Sequence, residues 1–218
     1  WRILQLRCED AAFCRQSAEA LVPVFRLMGA GDRAIALQQM ALAHASVEDR
    51  SAGLLSLADD LAAQPGRAAE AVTLLLDNAP EVDDPLVFIE HAADLAREHK
   101  VLGQWLDGVE MLVAGEVLQP EASLAAIALA AGAAASELQD TDRAAELWTR
   151  AWDVDPDSED ARDAVLALRR ESEDPAQLAT DLDRALMQGG GGTATELRME
   201  LARLCLTSLN RPGEALHQ

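Results

Sequence analysis

Residues 125 to 158, AAIALAAGAAASELQDTDRAAELWTRAWDVDPDS, carry the pattern that decides the fold of this chain. Ala144, Trp148 and Ala151 are spaced by four and then three residues, so their side chains share one face of a helix. The small residues let a neighbouring helix approach closely, and Trp148 fills the groove between the two helices. Gly132 precedes this helix and Pro156 follows it. The stretch therefore predicts a pair of close-packed helices.

The same pattern recurs along the chain at intervals of 34 to 37 residues. The positions equivalent to Ala144, which we call anchors, are Ala36, Ala71, Gly108, Ala144, Leu178 and Ala215. Five residues before them lie Gly31, Gly66, Gly103, Gln139, Glu173 and Asn210. Four residues after the first five lie Met40, Leu75, Leu112, Trp148 and Leu182. Glycine followed by a polar residue is typical of a turn. Each unit is therefore predicted to be a helix, a turn and a second helix, stacked on its neighbours.

These residues resemble the tetratricopeptide repeat, a helix-turn-helix unit of 34 residues. Five of the family's eight signature positions match, at Gly132, Ala144, Trp148, Ala151 and Pro156. The other three hold alanine in place of the family's Trp, Leu and Tyr, at Ala128, Ala131 and Ala135. The resemblance implies an all-α fold, a right-handed α-solenoid of about six stacked hairpins whose first helices line a concave surface. Other helical repeats of similar period remain an alternative.

The ends of the sequence suggest an array that is cut from a longer chain. We expect residues 1–16 to be the end of a preceding repeat and residues 17–218 to be an array of about six repeats, the last one truncated. A free-standing solenoid usually ends in a helix with a polar outer face, and none is recognisable. We therefore expect the natural polypeptide to continue beyond Gln218. Two further connections are expected, a flexible loop at Gly189–Gly192 and a longer link over Leu112–Pro120.

The composition excludes several classes of protein. The chain has 218 residues, 50% of them hydrophobic and 3% aromatic, so neither a disordered acidic tail nor an all-β sandwich fits. Its 18 Lys and Arg against 38 Asp and Glu give a net charge of −20, which argues against a nucleic-acid partner. Its odd set of three cysteines, Cys8, Cys14 and Cys205, predicts small buried hydrophobes rather than disulfides.

No apolar run reaches the ~20 residues that are needed to span a bilayer. The nearest candidate, Leu124 to Ala135, reads better as a buried helix because it consists mostly of alanine and glycine. We therefore expect a cytoplasmic protein without membrane insertion.

Catalytic and metal-binding motifs are hard to find in this sequence. His91, Asp94 and Glu98 could share one helix face, but a solvated polar face explains them better than a metal site does. The alternating acids of Asp153–Asp157 have calcium-loop spacing, but the glycine and closing glutamate of such a loop are missing. No nucleophile triad and no nucleotide fingerprint is present. We expect no enzymatic activity, no cofactor and no metal.

The resemblance implies that the inward faces of the first helices bind a partner. Transferred by register, the partner-binding positions are Leu21, Phe25, Met28, Asp60, Gln64, Glu90, Arg97, Lys100, Leu129, Glu137, Asp160, Asp163, Arg170 and Glu200. Phe25 and Met28 are the predicted hot spots, because aromatic and methionine side chains dominate such anchors. Alternatively, these two side chains pack beneath a preceding repeat. Leu21 and Phe25 replace the Lys and Asn with which one branch of the family clamps a peptide carboxylate, which argues against that function here.

We therefore expect a protein-interaction scaffold that binds a basic or amphipathic peptide or helix on its concave face. The alternative is a regulatory or sensor region within a larger enzyme or transcription regulator.

Overall fold

The computed structural model describes residues 11–172, 174–188 and 194–209. All regular structure in these ranges is helical, which confirms the predicted all-α class. The α-helices are α1 Ala11–Leu27, α2 Gly31–Leu42, α3 Val47–Ala62, α4 Ala68–Asn78, α5 Pro85–Glu98, α6 Leu102–Ala114, α7 Pro120–Ser136, α8 Thr141–Val154, α9 Glu159–Glu171, α10 Pro175–Met187 and α11 Ala194–Thr207. A short 3-10 helix, Ala79–Glu81, extends α4. None of these described helices is long and apolar enough to cross a membrane.

Acidic and serine side chains start several of these helices. The residues before α3, α5, α8, α9 and α10 each accept a hydrogen bond from a backbone N–H in the first turn of the helix. These N-caps are Ser46, Asp84, Asp140, Ser158 and Asp174. Such side chains satisfy N–H groups that have no partner within the helix. Part of the acidic excess therefore serves the fold.

The turns that join α1 to α2, α3 to α4, α5 to α6 and α7 to α8 share one backbone feature, a residue in the left-handed region. These residues are Gly29, Gly66, Lys100 and Gln139, with φ between 55° and 79°. After Gly29 the N–H of Ala30 donates to the carbonyl of Phe25 at 2.8 Å, which closes the end of α1. A fully buried residue of the second helix lies five positions after each of them, at Ala34, Ala71, Trp105 and Ala144.

This feature corrects the predicted register in the first and third hairpins. Gly31 and Gly103, which we predicted as turn residues, are the first residue of α2 and the second residue of α6. The anchor of the first hairpin is Ala34 rather than Ala36, and that of the third is Trp105 rather than Gly108. The second and fourth anchors, Ala71 and Ala144, are correct, and Leu178 is buried in α10 as expected.

The first compact unit, Trp1–Ala122, is a run of packed neighbouring helices. Each described helix from α1 to α5 contacts the next one, α3 also contacts α5, and α4 also contacts α6. At the last of these contacts Gly108 of α6 faces the side chain of Leu76, so a small residue does admit a neighbouring helix there. The indole of Trp105 is buried and donates from Nε1 to the carbonyl of Ile89 on α5, at 3.1 Å.

The second compact unit is Ser123–Gln218. Most of α7 belongs to it, and its buried Ala126, Ile127, Ala130 and Ala134 confirm the helix predicted at Leu124 to Ala135. In the rest of the unit α8 contacts α9, α9 contacts α10, and α10 contacts α11.

Trp152, rather than Trp148, is the fully buried tryptophan of α8. Trp148, which we predicted to fill the groove between the two helices, is only half-buried, whereas Trp152, one turn later on α8, is fully buried. The guanidinium of Arg184 on α10 lies 4.1 Å from the centre of a Trp152 ring. This contact joins the second helices of two successive hairpins.

Some predicted boundaries differ from the structure, and others are not described. Helix α6 continues to Ala114, so the predicted connection at Leu112–Pro120 begins three residues later. Helix α1 runs through the expected start of the array at residue 17. Cys14 and Cys205 are buried free thiols, as expected. The predictions made at Cys8, Glu173, Gly189–Gly192, Asn210 and Ala215 lie outside the described residues.

Candidate functional site

The partner-binding residues predicted from the repeat register all lie on, or directly after, the first helix of a hairpin. Met28, Gln64, Lys100 and Glu137 follow the ends of α1, α3, α5 and α7 within two residues. The others lie on the helices themselves, namely Leu21, Phe25, Asp60, Glu90, Arg97, Leu129, Asp160, Asp163, Arg170 and Glu200. Their exposure and their partners differ widely.

The end of α1 carries an exposed apolar surface. Val24, Leu27 and Met28 are 43%, 90% and 69% exposed, and we call these three residues the α1 patch. They are spaced by three and four positions, so they lie on one side of the helix end. Met28 was among the predicted hot spots. Leu27 and Val24 were missed, although their spacing from Met28 was visible in the sequence.

Phe25 and Leu21 are less exposed than a partner-binding face requires. Both are half-buried and pack against the cluster of Val22, Ala34 and Leu37 between α1 and α2. They therefore hold the first hairpin together instead of forming a free apolar face. Leu129 on α7 is also half-buried.

Asp60 on α3 is engaged by an arginine of the preceding hairpin. Arg26 on α1 donates from Nε to Asp60 Oδ1 at 2.6 Å and from Nη2 to Asp60 Oδ2 at 2.8 Å. The hydrogen bond to Asp60 raises the pKa of Arg26, with a smaller opposing effect of burial. The same Nη2 also donates to Ser56 at 2.8 Å. This bidentate geometry fixes α1 against α3.

Arg170 and Glu200, both predicted to face a partner, bind each other across α9 and α11. Nε and Nη2 of Arg170 lie 2.8 Å from the two carboxylate oxygens of Glu200. These hydrogen bonds hold the pKa of Glu200 below its usual value. The two charges therefore join successive hairpins.

His91 also contacts a residue of another helix, whereas its spacing in the sequence suggested a shared face with residues of its own helix. Its Nε2 lies 2.8 Å from Oδ1 of Asp59 on α3. Asp94 instead accepts a hydrogen bond from Arg97 at 3.0 Å. Within the described ranges, no group of three or more His, Cys, Asp or Glu side chains is placed to hold a metal ion.

The remaining predicted charges are exposed. Glu90, Lys100, Glu137 and Asp160 are all open to solvent, and Asp163 contacts Arg162 beside it at 2.9 Å. Four of the five are acidic side chains that lie on, or directly after, a first helix. The exposed charge at these positions is therefore mainly negative.

One carboxylate that the sequence did not single out is buried. Asp181 on α10 accepts hydrogen bonds from Nε of Arg169 at 3.3 Å and from Nε2 of Gln177 at 3.4 Å. Burial raises the pKa of Asp181 above its usual value, and the attraction of Arg169 opposes this only in part. The pair joins α9 to α10, which gives it a structural role.

These positions comprise an exposed apolar patch, a group of exposed and mainly acidic side chains, and a set of charges that are paired between hairpins. No protein-family model and no curated protein sequence matches this chain.

Proposed function

We propose that this chain is a protein-interaction scaffold that binds a basic, amphipathic peptide or helix, and that it has no catalytic activity of its own. The observation that carries the proposal is the α1 patch, where Leu27 is 90% exposed and Met28 69% exposed. Large apolar side chains that are grouped on a surface mark interaction sites more often than isolated ones do. Methionine adapts its shape to different partners, which suits a peptide-binding surface.

The charge of the chain supports a basic partner. The net charge is −20, and several of the arginines are bound to carboxylates within the structure. The acidic excess that is left on the surface attracts cations and raises the rate at which a basic ligand associates.

We further propose that, within each compact unit, the hairpins stack as an α-solenoid of the tetratricopeptide kind. Two features support this fold. In the first unit α3 contacts α5 and α4 contacts α6, so equivalent helices of successive hairpins are neighbours. In both units a left-handed residue lies five positions before a buried anchor, as expected for one repeated hairpin.

The function can be tested with a designed helical peptide that has leucine on one face and lysine on the other. We expect the chain to bind it, and to bind a peptide with glutamate in place of lysine about tenfold or more weakly. Isothermal titration calorimetry gives both affinities. Raising the salt from about 50 mM to about 500 mM should weaken binding of the lysine peptide.

The double variant Leu27→Asp, Met28→Asp tests the place of binding. Both side chains are exposed, so the variant should fold normally and bind the lysine peptide about tenfold more weakly. The matched control is Met111→Asp, because Met111 is 71% exposed in the same unit but lies on the second helix of its hairpin. Equal binding by the double variant and the wild type, or equal binding of the two peptides, would contradict the proposal.

A further inference from the structure

A cavity lies between the first three helices, apart from the α1 patch. Its volume is about 340 Å³, and α1, α2 and α3 all line it. Its walls are mainly apolar, from Ala18 and Val22 on α1 and from Ala41 and Leu42 on α2. None of the three residues of the α1 patch lines it. Cavities of about this size commonly bind small molecules.

A polar side chain is buried in the wall of this cavity. Gln38 on α2 is only 8% exposed. Its Nε2 donates to Oγ of Ser56 on α3 at 3.0 Å, but its Oε1 has no hydrogen-bond partner among the described residues. A buried carbonyl oxygen without a partner is costly, and such groups are rare in folded proteins.

The repeat shows that glutamine is the exception at this position. Gln38 lies four residues after the anchor Ala34. The corresponding residues of the next four hairpins, four after Ala71, Trp105, Ala144 and Leu178, are Leu75, Val109, Trp148 and Leu182. Leu75, Val109 and Leu182 are fully buried and Trp148 is half-buried. An apolar side chain therefore fits at this position in the other hairpins, whereas the first hairpin has the amide of Gln38 beside a cavity.

The charged residues of the cavity are exposed to solvent, unlike Gln38. Arg15 on α1 and Asp49 on α3 bind each other at 3.2 Å, so their charges offset, and Glu19 and His44 also line the cavity. The buried atom without a described partner, Oε1 of Gln38, is a neutral hydrogen-bond acceptor. A ligand that fits has an apolar body for the walls and one hydrogen-bond donor for Gln38.

We propose that this cavity binds a small neutral, apolar molecule with one N–H donor, of the indole class and of about nine to fifteen non-hydrogen atoms. The ring system packs against the apolar walls and its N–H donates to Oε1 of Gln38. This binding site is independent of peptide binding at the α1 patch.

Titration of the whole chain with indole, followed by the methyl NMR signals of Ala18, Val22 and Leu42, tests the site. We expect these signals to shift with indole. The probe 1-methylindole keeps the ring but lacks the donor, so we expect it to bind about tenfold more weakly. Equal affinity for the two probes, or no shift with either of them, would overturn the proposal.

Three variants complete the experiment. Gln38→Leu removes the acceptor and adopts the residue found at Leu75, so it should fold and lose the preference for indole over 1-methylindole. Ala41→Met keeps Gln38 but fills the cavity, so it should weaken binding of both probes. The matched control Gln39→Leu changes an exposed glutamine on the same helix and should bind as the wild type does. An unchanged preference for indole in Gln38→Leu would refute the role of Gln38.

Discussion

Backbone conformation separates glycines that look alike in the sequence. Gly66 and Gly103 both stand five residues before a predicted anchor, yet Gly66 has a φ of 79° and Gly103 lies within α6. A Cβ placed on either of them meets no other atom within 4 Å. Any difference between their alanine variants therefore comes from the backbone and not from packing.

We expect Gly66→Ala to lower the free energy of unfolding by about 1 kcal/mol, because an L-residue is strained in the left-handed region. Gly103→Ala should raise it by up to about 0.5 kcal/mol, since alanine favours a helix more than glycine does and Gly103 lies in the first turn of α6. Urea unfolding followed by circular dichroism measures both. If both variants changed the free energy of unfolding in the same direction, either the turn at Gly66 or the start of α6 at Gly103 would be misplaced.

The buried carboxyl group of Asp181 predicts a pH dependence. Because burial raises its pKa in the folded chain, there is a pH window in which the folded state keeps a proton that the unfolded state has released. The free energy of unfolding falls as the pH rises through that window. Relative to the wild type, Asp181→Asn should therefore gain stability between about pH 4 and about pH 7.

Urea unfolding of the two proteins at both pH values gives the comparison. A relative stability of Asp181→Asn that falls with rising pH would mean that Arg169 stabilises the carboxylate more than burial penalises it.

At the scale of the helices, ion pairs join helices whose paired residues lie 30 to 34 positions apart in the sequence. Arg26 and Asp60 connect α1 to α3, and Arg170 and Glu200 connect α9 to α11. The two pairs have similar bidentate geometry but differ in burial, because the side chain of Asp60 is the least exposed of the four. Burial makes a hydrogen-bonded charge pair less sensitive to solvent and salt.

Double-mutant cycles with alanine should therefore give unequal couplings. We expect about 1 kcal/mol for Arg26 with Asp60, and about 0.5 kcal/mol for Arg170 with Glu200, both discounted for the solvent exposure of the arginines. Added salt should reduce the second coupling more. A larger coupling for Arg170 with Glu200 would contradict this ranking.

Periodicity predicted the helices well but located the turns less well. The apolar spacing on α4 and α8 identified Ala71 and Ala144, since small residues at helical intervals leave a clear signal. The third turn was misplaced because its left-handed residue is Lys100, which carries no glycine signal. In the first turn Gly29 and Gly31 both fit, and only the backbone distinguishes them.

The candidate site was less predictable than the fold. The register placed residues on the first helices, but whether a charge is open to a partner depends on what lies across the neighbouring helix. Asp60 and Arg170 have such partners about 30 residues away in sequence, which helix periodicity does not reveal. The burial of the Gln38 amide was not predicted either, because the predicted anchor of the first hairpin, Ala36, lies two residues after the anchor in the structure, Ala34.

For the whole molecule, the net charge of −20 sets the response to salt. Repulsion among the surface carboxylates destabilises the folded state, and added ions screen it. We expect the Tm to rise as NaCl increases from about 20 mM to about 300 mM, although the exposed ion pairs weaken slightly.

Differential scanning calorimetry at several salt concentrations measures this. A Tm that falls with added NaCl would show that specific ion pairs outweigh the general repulsion.

The Arg26–Asp60 pair also limits which hairpins of such a chain could be deleted or exchanged by recombination. The buried residues of α3 and α5 match at an offset of 35 residues, as Leu54, Leu57, Ala58 and Leu61 correspond to Ile89, Ala92, Ala93 and Ala96. At this offset the place of Asp60 is taken by Leu95. Loss of the second hairpin would therefore set Arg26 opposite a leucine. Although the hairpins share one architecture, their order in the first unit is not interchangeable.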